Sequence, residues 1–384
     1  MSYLSQEKSA ESTTVNFSYS QPQLFTISYD ELITPEALYK AYIRARFSKR
    51  KKGYIFRFEC SLFTHLNNLY TALKNRQYQP IPCRVFMIYC TAGQKMREIH
   101  APSFIDLIAQ FVFYDAVYPA FERGFIFDSY GCRKNKGALR AADRVQEFMR
   151  KSPAKSYYLQ IDIRKYYYSI DHAVLRESLS RRITEHEIVD LAMSFCEEGN
   201  KGVNVGSLVA QLYGLIYLDR FDHWVKRKLK IKYYVRYVDD MVFIGLSRDE
   251  AYILLSIIQN YLESELKLKL SKWKIMPIKK GINFAGYRTW RKGRFIRKRS
   301  LKTFSKRLKS EDWEAMESVL AHAEPSSSYS HLITKLLTVD LSNVPLHIQR
   351  RINRWLSTHT VKKKYLAQWA QPMIFSQVTL HSFA

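Results

Sequence analysis

Two β-prone runs separated only by a pair of aspartates constrain this sequence more than any other feature. The runs are residues 233–238 and 241–245, and Asp239 and Asp240 lie between them. Apolar and aromatic runs this close together predict an antiparallel hairpin with the two carboxylates at its tip. Charges packed beside apolar strands are costly without a partner, so a cation is expected there. Taken alone, the hairpin fits an exposed turn equally well, because Asp is common in turns.

A further aspartate, on a different predicted strand, favours a metal site over a simple turn. Residues 157–163 read Tyr-Tyr-Leu-Gln-Ile-Asp-Ile, which predicts a buried strand that carries Asp162. Two neighbouring strands could then bring carboxylates together. Magnesium takes oxygen ligands, keeps several waters and needs only a few carboxylates plus substrate phosphates. The pattern therefore indicates two-metal chemistry, in which one ion activates the attacking oxygen and the other stabilises the leaving oxygen.

The charge of the chain indicates a polyanionic partner. Its 384 residues contain 61 Lys and Arg against 35 Asp and Glu, which gives a formal net charge of +26. The cations recur along the whole chain between aromatic residues that can stack on bases, and this favours nucleic acid over a membrane surface. With 47% hydrophobic residues, the chain can bury a sizeable core, so a mainly disordered protein is excluded.

The cysteines and the amino terminus indicate a reducing compartment. Five cysteines, widely spaced and without a Cys-x-x-Cys pair, support neither a disulfide framework nor a zinc site. Residues 1–16 are polar and rich in Ser and Thr, and the sequence has no uninterrupted apolar run of about 18 residues. We therefore expect a cytoplasmic protein with no membrane partner.

The remaining periodicity predicts helices mixed with short strands, which is an α+β fold. Pro35 is expected to start a helix, and residues 247–250 to cap a helix that runs to Leu266. Helices are also predicted at 62–74, 104–121, 174–195, 208–228 and from 300 onwards. Further strands are predicted at 84–89, before a turn at Gly93, and at 282–287, the latter as a strand or a tight hairpin.

Residues 237–240, Tyr-Val-Asp-Asp, follow an aspartate on an earlier strand and resemble the catalytic signature of reverse transcriptases. Segments similar to this family follow one another in order from about residue 78 to residue 309. The resemblance implies a right-hand polymerase whose palm carries the aspartates on an antiparallel sheet. It also implies two magnesium ions, replaceable by manganese. Asp162 and Asp239 would ligate both ions with help from the Ile163 carbonyl, and Asp240 would bind more peripherally.

The resemblance extends to the residues that would bind the nucleotide. Lys95 and Arg97 are similar to the fingertip Lys-x-Arg segment that grips the triphosphate, and an exposed basic loop is the alternative. Tyr167 matches the bulky residue that stacks under the sugar and excludes a 2′-hydroxyl, which favours deoxynucleotides. Ordinary core packing is the alternative for this tyrosine.

Residues 205–211, Val-Gly-Ser-Leu-Val-Ala-Gln, occupy the place of the family segment Gln-Gly-x-x-x-Ser-Pro. Gly206 and Gln211 are therefore expected to support template and nucleotide. The aliphatic residue before the glycine and the final glutamine resemble the reverse transcriptases of diversity-generating retroelements, although Ala210 replaces the usual serine. Related bacterial enzymes implicated in defence against phage share much of this pattern.

The resemblance implies four parts of the chain and a primer grip. The parts are a flexible leader (1–30), fingers with an N-terminal extension (31–156), a palm (157–299) and a helical thumb with a C-terminal extension (300–384). The primer grip would lie at the end of the palm and comprise Phe284, Gly286 and Tyr287.

Taken together, these features imply an RNA-directed DNA polymerase, a nucleotidyltransferase that makes cDNA in a bacterial retroelement of the diversity-generating type. Its partners would be an RNA template, a DNA primer or product, deoxynucleoside triphosphates, a structured non-coding RNA and an accessory protein. One alternative is an antiphage-defence reverse transcriptase that works with a non-coding RNA and unusual priming. Another is a non-catalytic RNA-binding scaffold with a polymerase fold, against which the intact aspartates argue.

Overall fold

The structure is a computed structural model that describes residues 24–90, 95–339 and 344–358. Most of the predicted leader, the turn at Gly93 and the C-terminal extension after residue 358 lie outside these ranges. The chain divides into two compact units. Met1–Phe125 and His172–Ile216 belong to the first unit, whereas Ile126–Asp171 and Tyr217–Ala384 belong to the second.

Helices and antiparallel sheets alternate along the chain, as the α+β prediction requires. The helices are α1 (Tyr29–Leu32), α2 (Pro35–Ala45), α3 (Gly53–Glu59), α4 (Leu62–Lys74), α5 (Phe104–Glu122), α6 (Ala138–Lys151), α7 (His172–Ser180), α8 (His186–Ser194), α9 (Leu208–Tyr217), α10 (Asp219–His223), α11 (Arg248–Leu266), α12 (Lys298–Lys309), α13 (Trp313–Ala323), α14 (Ser328–Leu336) and α15 (Leu346–Leu356). The strands are β1 (Arg84–Cys90), β2 (Lys95–Ala101), β3 (Tyr157–Ile163), β4 (Tyr234–Tyr237), β5 (Asp240–Leu246), β6 (Leu270–Pro277), β7 (Ile282–Phe284), β8 (Tyr287–Thr289) and β9 (Arg294–Ile296). They form three antiparallel sheets with the orders β1-β2, β4-β5-β3-β6 and β7-β8-β9.

The first unit is built around α5, which packs against α2 and α4. By length and composition α5 could also cross a membrane, but about half of its apolar window is buried. Its Asp106 is buried and accepts hydrogen bonds from the Tyr78 hydroxyl at 2.7 Å and the Ile81 amide at 3.1 Å. The core helix of a globular unit can have the same length and composition as a membrane-spanning helix. The buried contacts of Asp106 show that α5 is a core helix of the first unit.

Two helices that the sequence predicts as continuous are interrupted in the structure. The predicted helix at 174–195 forms α7 and α8, which are separated where the Arg182 carbonyl accepts a hydrogen bond of 2.7 Å from the Phe25 amide. The predicted helix at 208–228 forms α9, α10 and a π-helical turn over Trp224–Lys228. Each prediction joined helices that are separate in the structure. The apolar spacing continues across each break, so it did not reveal where one helix ends and the next begins.

The second unit is centred on the four-stranded sheet. Helix α6 contacts β4 and β5, and α11 contacts β3 and β6. The α6 side of the core includes Val145 and Phe148 from the helix with Tyr158 and Val242 from the sheet. Helix α11 begins with the predicted capping box, in which the Ser247 hydroxyl accepts from the Glu250 amide and the Glu250 carboxylate accepts from the Ser247 amide.

The carboxyl-terminal part of the second unit is helical, as predicted, although its first helix begins at Lys298. A separate hydrophobic cluster joins α12 to α15 with the small sheet β7-β8-β9. Its buried members include Phe304, Met316, Ile333 and Ile348.

Candidate active site

The two strands that carry candidate carboxylates are neighbours in the central sheet. Antiparallel pairing of β3 with β5 places Asp162 directly opposite Asp240. Directly opposed residues of neighbouring strands project from the same face of a sheet, with Cβ atoms only about 5 Å apart. Both side chains are partly exposed. Like charges in this arrangement repel each other, so the sheet concentrates negative charge at one point.

Asp239 lies in the tight turn between β4 and β5. Because Tyr237 pairs with Asp240, the turn residues are Val238 and Asp239, and Asp240 is the first residue of β5. The predicted hairpin is therefore present, but its tip carries one aspartate rather than two. Val238 has a φ of +59°, which is rare for a β-branched residue and is typically retained only where neighbouring contacts enforce it.

Two contacts hold this strained turn in place. A Cβ atom on Gly131 would lie 2.5 Å from Val238 Cγ2 and 2.6 Å from the Val238 nitrogen, so only glycine allows this close approach. On the turn itself, Arg236 Nη1 donates a hydrogen bond of 3.1 Å to the Val238 carbonyl. The position of Asp239 therefore depends on Gly131 and Arg236.

Arg236 belongs to a buried ion pair that the sequence analysis missed. Its Nε and Nη2 donate to the carboxylate of Asp222 at 2.9 and 2.6 Å, and both side chains are fully buried. The Tyr234 hydroxyl donates to the same carboxylate at 2.6 Å. Burial opposes the charge of Arg236, but Asp222 raises the arginine pKa above its ordinary value. An arginine inside an apolar strand was the available signal, because such a charge needs a partner.

Neutral polar side chains orient the two opposed carboxylates. Gln160 Nε2 donates to Asp240 Oδ1 at 2.8 Å and to the Asn283 carbonyl at 2.9 Å. The Ser271 hydroxyl donates to Asp162 Oδ2. Burial raises the pKa of Asp240 to about 7; the Gln160 hydrogen bond opposes the shift, and the charges of Asp162 and Asp239 add to it. A bound cation would relieve this repulsion.

The carboxylates fit a hard divalent cation that takes part of its coordination from elsewhere. Within residues 24–90, 95–339 and 344–358, no group of three or more His, Cys, Asp or Glu side chains could hold a metal ion. Magnesium commonly keeps several waters and binds through one or two carboxylates plus substrate phosphates. Opposed Asp162 and Asp240, with Asp239 acting electrostatically on Asp240, supply the oxygen donors and the negative charge that such an ion needs. The carbonyl of Ile163 belongs to the same strand, β3.

Tyr167 lies in a 3₁₀ turn, Tyr166–Ser169, that follows β3. The turn begins after Lys165, whose φ of +45° reverses the chain. Burial raises the pKa of Tyr167, with smaller contributions from Cys132 and Asp239 and a hydrogen bond to the Cys132 side chain. The tyrosine is only partly buried. Cys132 was not singled out from the sequence.

In the first unit, the segment around Gly206 packs directly against β2. The His100 amide donates a hydrogen bond of 2.8 Å to the Val205 carbonyl. Gly206 has a φ of +117°, and a Cβ atom there would lie 2.7 Å from Ile99 Cγ2. Lys95 and Arg97 belong to this same strand, and Arg97 is exposed opposite Ile88. Gln211 is exposed on α9.

The predicted primer grip is a tight hairpin between β7 and β8. Phe284 pairs with Tyr287, and the turn residues Ala285 and Gly286 both have positive φ, +45° and +89°, as a two-residue type I′ turn requires. Phe284 and Tyr287 are buried rather than displayed. The Tyr287 hydroxyl donates to the His322 carbonyl at 3.0 Å, and the His322 ring faces Gly286.

A sequence model of a protein family matches residues 92–289, slightly more than half of the chain, and its description is "Reverse transcriptase (RNA-dependent DNA polymerase)". The matched range includes every candidate residue from Lys95 to Tyr287.

Two curated proteins and two solved structures are similar to the chain. Protein YkfC of Escherichia coli (strain K12) is 25% identical over 280 residues, which cover 61% of this chain and 73% of YkfC. Group II intron-encoded protein LtrA of Lactococcus lactis subsp. cremoris is 24% identical over 225 residues, 55% of this chain. The chain spans only 37% of LtrA.

The solved structures are more distant. Telomerase from Candida albicans, solved with a fragment of telomeric RNA, is 14% identical with a TM-score of 0.48, over 77% of this chain and 58% of that one. The RNA-dependent RNA polymerase of a human picorbirnavirus is 14% identical with a TM-score of 0.47, over 66% of this chain and 53% of that one.

Proposed function

The chain belongs to the reverse transcriptase family of RNA-dependent DNA polymerases, and from this premise we propose that it makes cDNA on an RNA template by two-metal nucleotidyl transfer. Its α+β architecture with an antiparallel central sheet is that of a right-hand polymerase. The observation that carries the proposal is the opposition of Asp162 and Asp240 on neighbouring strands, beside the turn of Asp239. All three lie within the range matched to the family.

The proposed reaction needs divalent ions, and we assign magnesium, with manganese as a substitute. Asp162 and Asp239, assisted by the carbonyl of Ile163, would ligate the two ions, and Asp240 would bind more peripherally. Waters and substrate phosphates would complete the coordination. When bound, the ions would activate the primer 3′-hydroxyl and stabilise the departing pyrophosphate. The residues around them position these ligands, because Gln160 and Ser271 fix carboxylate oxygens.

Five residues are proposed to contact the nucleotide or the template beside it. We propose that Lys95 and Arg97 bind the triphosphate. Lys95 would contribute the compact charge of its ammonium group, and Arg97 would contribute the hydrogen-bond donors of its planar guanidinium group. Gly206 and Gln211 would support the template and the nucleotide. Tyr167, which is only partly buried in the 3₁₀ turn after β3, would exclude a 2′-hydroxyl.

The primer grip and the subdomains complete the proposal. The hairpin of Phe284, Gly286 and Tyr287 would hold the primer end, with its buried aromatic residues anchoring the turn of Ala285 and Gly286. Residues 31–156, 157–299 and 300–384 are proposed as fingers, palm and thumb.

For the biological setting we propose a bacterial retroelement of the diversity-generating type. The segment 205–211 supports this assignment through its aliphatic residue before Gly206 and its final Gln211. A structured non-coding RNA and an accessory protein would be its partners. A defence role with a non-coding RNA is the second candidate, because related bacterial sequences share the segment. A neighbouring variable-repeat gene would favour the first setting, and a defence island the second.

Primer extension tests the catalytic proposal. Purified protein with a primed RNA template, magnesium and deoxynucleotides should synthesise DNA, and Asp239→Ala should abolish synthesis while circular dichroism shows an unchanged fold. Asp249→Ala, an exposed first-turn residue of α11, serves as the matched control and should remain active. RNA binding without synthesis by the wild type would instead favour a non-catalytic scaffold.

A further inference from the structure

Residues 47–57, which join α2 to α3 and form most of α3, combine cations with exposed aromatic rings. We refer to them as the basic-aromatic segment. They contain five cations and no acidic residue: Lys49, Arg50, Lys51, Lys52 and Arg57. Three aromatic side chains of the segment are exposed: Phe47 by 78%, Tyr54 by 46% and Phe56 by 67%. Exposed rings of this size usually mark an interaction site when they are grouped.

Packing of α3 explains why the Phe56 ring faces outwards. Ile55 is fully buried, and the Phe58 ring packs edge-on against Phe104 at 4.9 Å and stacks on His65 at 4.7 Å. One side of the short helix is thereby anchored to the unit. Phe56 lies on the other side, where none of these contacts covers it.

The cations of the segment are not neutralised by the protein. Across the described ranges 24–90, 95–339 and 344–358, none of the five forms an ion pair with an acidic residue. Their neighbours outside the segment differ, since Lys40 pairs with Glu36 at 2.6 Å and Arg46 with Glu59 at 3.2 Å. The same stretch therefore combines uncompensated charge with exposed rings.

We propose that the basic-aromatic segment is a docking surface for an unpaired strand of RNA. The inference rests on the proposed function, because that function makes RNA the nucleic acid at hand. Lysine and arginine neutralise phosphates, and aromatic rings stack on bases whose faces are free. A double helix hides its base faces, so a surface that offers rings together with cations is suited to a single strand.

Binding of a short fluorescent oligouridylate, about 12 nucleotides long as suits a single-strand site, tests the surface over a range of salt concentrations. The ring variant is Phe47→Ala with Phe56→Ala, and the charge variant is Arg50→Ala with Lys51→Ala and Lys52→Ala. Phe63→Ala is the ring control, because Phe63 is 80% exposed on α4 without adjacent cations. The charge control is Lys40→Ala with Arg176→Ala and Arg181→Ala, three cations that pair with acidic residues.

The two variants should fail in different ways. The ring variant should weaken binding about tenfold at every salt concentration, because stacking does not release counterions. The charge variant should reduce the slope of log Kd against log salt by about 2, since each phosphate contact on a single strand contributes about 0.7. Both controls should bind as the wild type does. Thermal melting of each variant shows whether it is folded.

Photo-crosslinking locates the bound strand. With 4-thiouridine in the oligonucleotide, crosslinked peptides should include residues 47–57. Wild-type affinity in the ring variant, or crosslinks confined to other peptides, would overturn the proposal. The proposal would also be overturned if the ring and charge variants lost binding to anionic phosphatidylserine vesicles while their RNA binding stayed unchanged. That result would identify the segment as a membrane-binding surface.

Wild-type primer extension on the same preparation separates this proposal from the proposed function. Extension with unchanged oligouridylate binding in both variants would reject only the docking surface. Failed extension with the predicted binding losses would reject only the polymerase assignment.

Discussion

Asp162 and Asp240 lie directly opposite each other on β3 and β5, on the same face of the central sheet. Burial, to which the charges of Asp162 and Asp239 add, raises the pKa of Asp240 to about 7. The fold without metal thus contains an unfavourable charge pair. A neutral residue at one of the two positions would remove this repulsion, and the retained pair supports the proposal that a cation binds here.

Asp240→Asn should therefore stabilise the metal-free protein in a pH-dependent manner. Because the pKa of Asp240 is higher in the folded than in the unfolded protein, protonation of Asp240 stabilises the folded wild type. This stabilisation is complete below about pH 4 and is lost as the pH rises through 7. Asparagine has no proton to lose. At pH 8 in EDTA, Asp240→Asn should raise the free energy of unfolding by about 2 kcal/mol, allowing for partial exposure. Urea unfolding at pH 5 and pH 8 measures the difference, which should shrink at pH 5.

Magnesium should reverse that order at pH 8. The ion stabilises whichever folded protein binds it, so added magnesium should raise the unfolding midpoint of the wild type more than that of Asp240→Asn. If the wild type and Asp240→Asn have equal unfolding midpoints, both with and without magnesium, then Asp240 is not destabilised by the opposed charge of Asp162 and does not help to bind the ion.

Arg236 connects a buried ion pair to the turn of Asp239, because the same guanidinium donates to Asp222 and to the Val238 carbonyl. Arg236→Gln should remove the cation and leave Asp222 buried without a charge partner, at a cost of about 3–5 kcal/mol. Adding Asp222→Asn should restore most of this stability, since asparagine can still accept from the Tyr234 hydroxyl. Urea unfolding of the two variants checks this order.

The double variant Arg236→Gln with Asp222→Asn should remain impaired in primer extension even though its stability is restored. The Val238 carbonyl still lacks its donor, so the strained turn is no longer held, and primer extension should fall at least tenfold with a higher magnesium concentration at half-saturation. If the double variant regains wild-type activity and magnesium dependence, Arg236 acts only through folding and does not position Asp239.

The elements with strong local signals were predicted closely. Helix α4 and strand β3 occupy the predicted residues, because amphipathic spacing and a continuous apolar run each specify one type of structure. The capping box likewise marked the start of α11. The breaks after α7 and α9 were not predictable in this way, since they depend on contacts such as that of Phe25 with Arg182 rather than on local spacing.

The candidate site shows the same division. The sequence predicted a strand for Asp162 and placed Asp240 at the tip of a hairpin, whereas Asp240 is the first residue of β5. The direct opposition of the two depends on the register between β3 and β5, which pairs residues far apart in the chain. Similarly, an arginine in a buried strand demands an acidic partner, but nothing local identifies Asp222. Lys95, Arg97, Gly206 and Gln211 are placed on β2 and around α9, and their roles stay predictions.

Tyr167→Ala should lower discrimination against ribonucleotides. If the ring excludes a 2′-hydroxyl, a small side chain should raise the ratio of ribonucleotide to deoxynucleotide incorporation at least tenfold, equivalent to about 1.4 kcal/mol. Tyr168→Ala is the matched control, because Tyr168 belongs to the same 3₁₀ turn and is more exposed. Single-nucleotide incorporation with each triphosphate measures both variants. An unchanged ratio in Tyr167→Ala, or an equal increase in Tyr168→Ala, would refute the gate.

Gly206→Ala should disturb β2 chiefly through its contact with Ile99. Gly206 and Gly199 both have positive φ, +117° and +99°, so alanine should strain either site by about 1–2 kcal/mol. Only Gly206 is also crowded, by Ile99 Cγ2, whereas a Cβ atom on Gly199 would meet nothing within 4 Å. Gly206→Ala should therefore cost more than Gly199→Ala. Ile99→Ala should remove most of the excess, because the His100 carbonyl oxygen, 3.3 Å from the added Cβ atom, remains the nearest neighbour. Urea unfolding of the single and double variants gives the coupling energy.

The same variants connect the Gly206 segment to nucleotide binding. Because the Val205 carbonyl accepts from His100 on the strand that carries Arg97, a displaced segment should shift β2 and raise the KM for deoxynucleotides several-fold. Gly199→Ala should leave that KM unchanged, and Gly206→Ala with Ile99→Ala should bring it back towards the wild-type value. The proposed coupling would be rejected if the unfolding energies of Gly206→Ala and Ile99→Ala were additive and the KM were unchanged in Gly206→Ala. In that case the glycine would be needed only for its own positive φ.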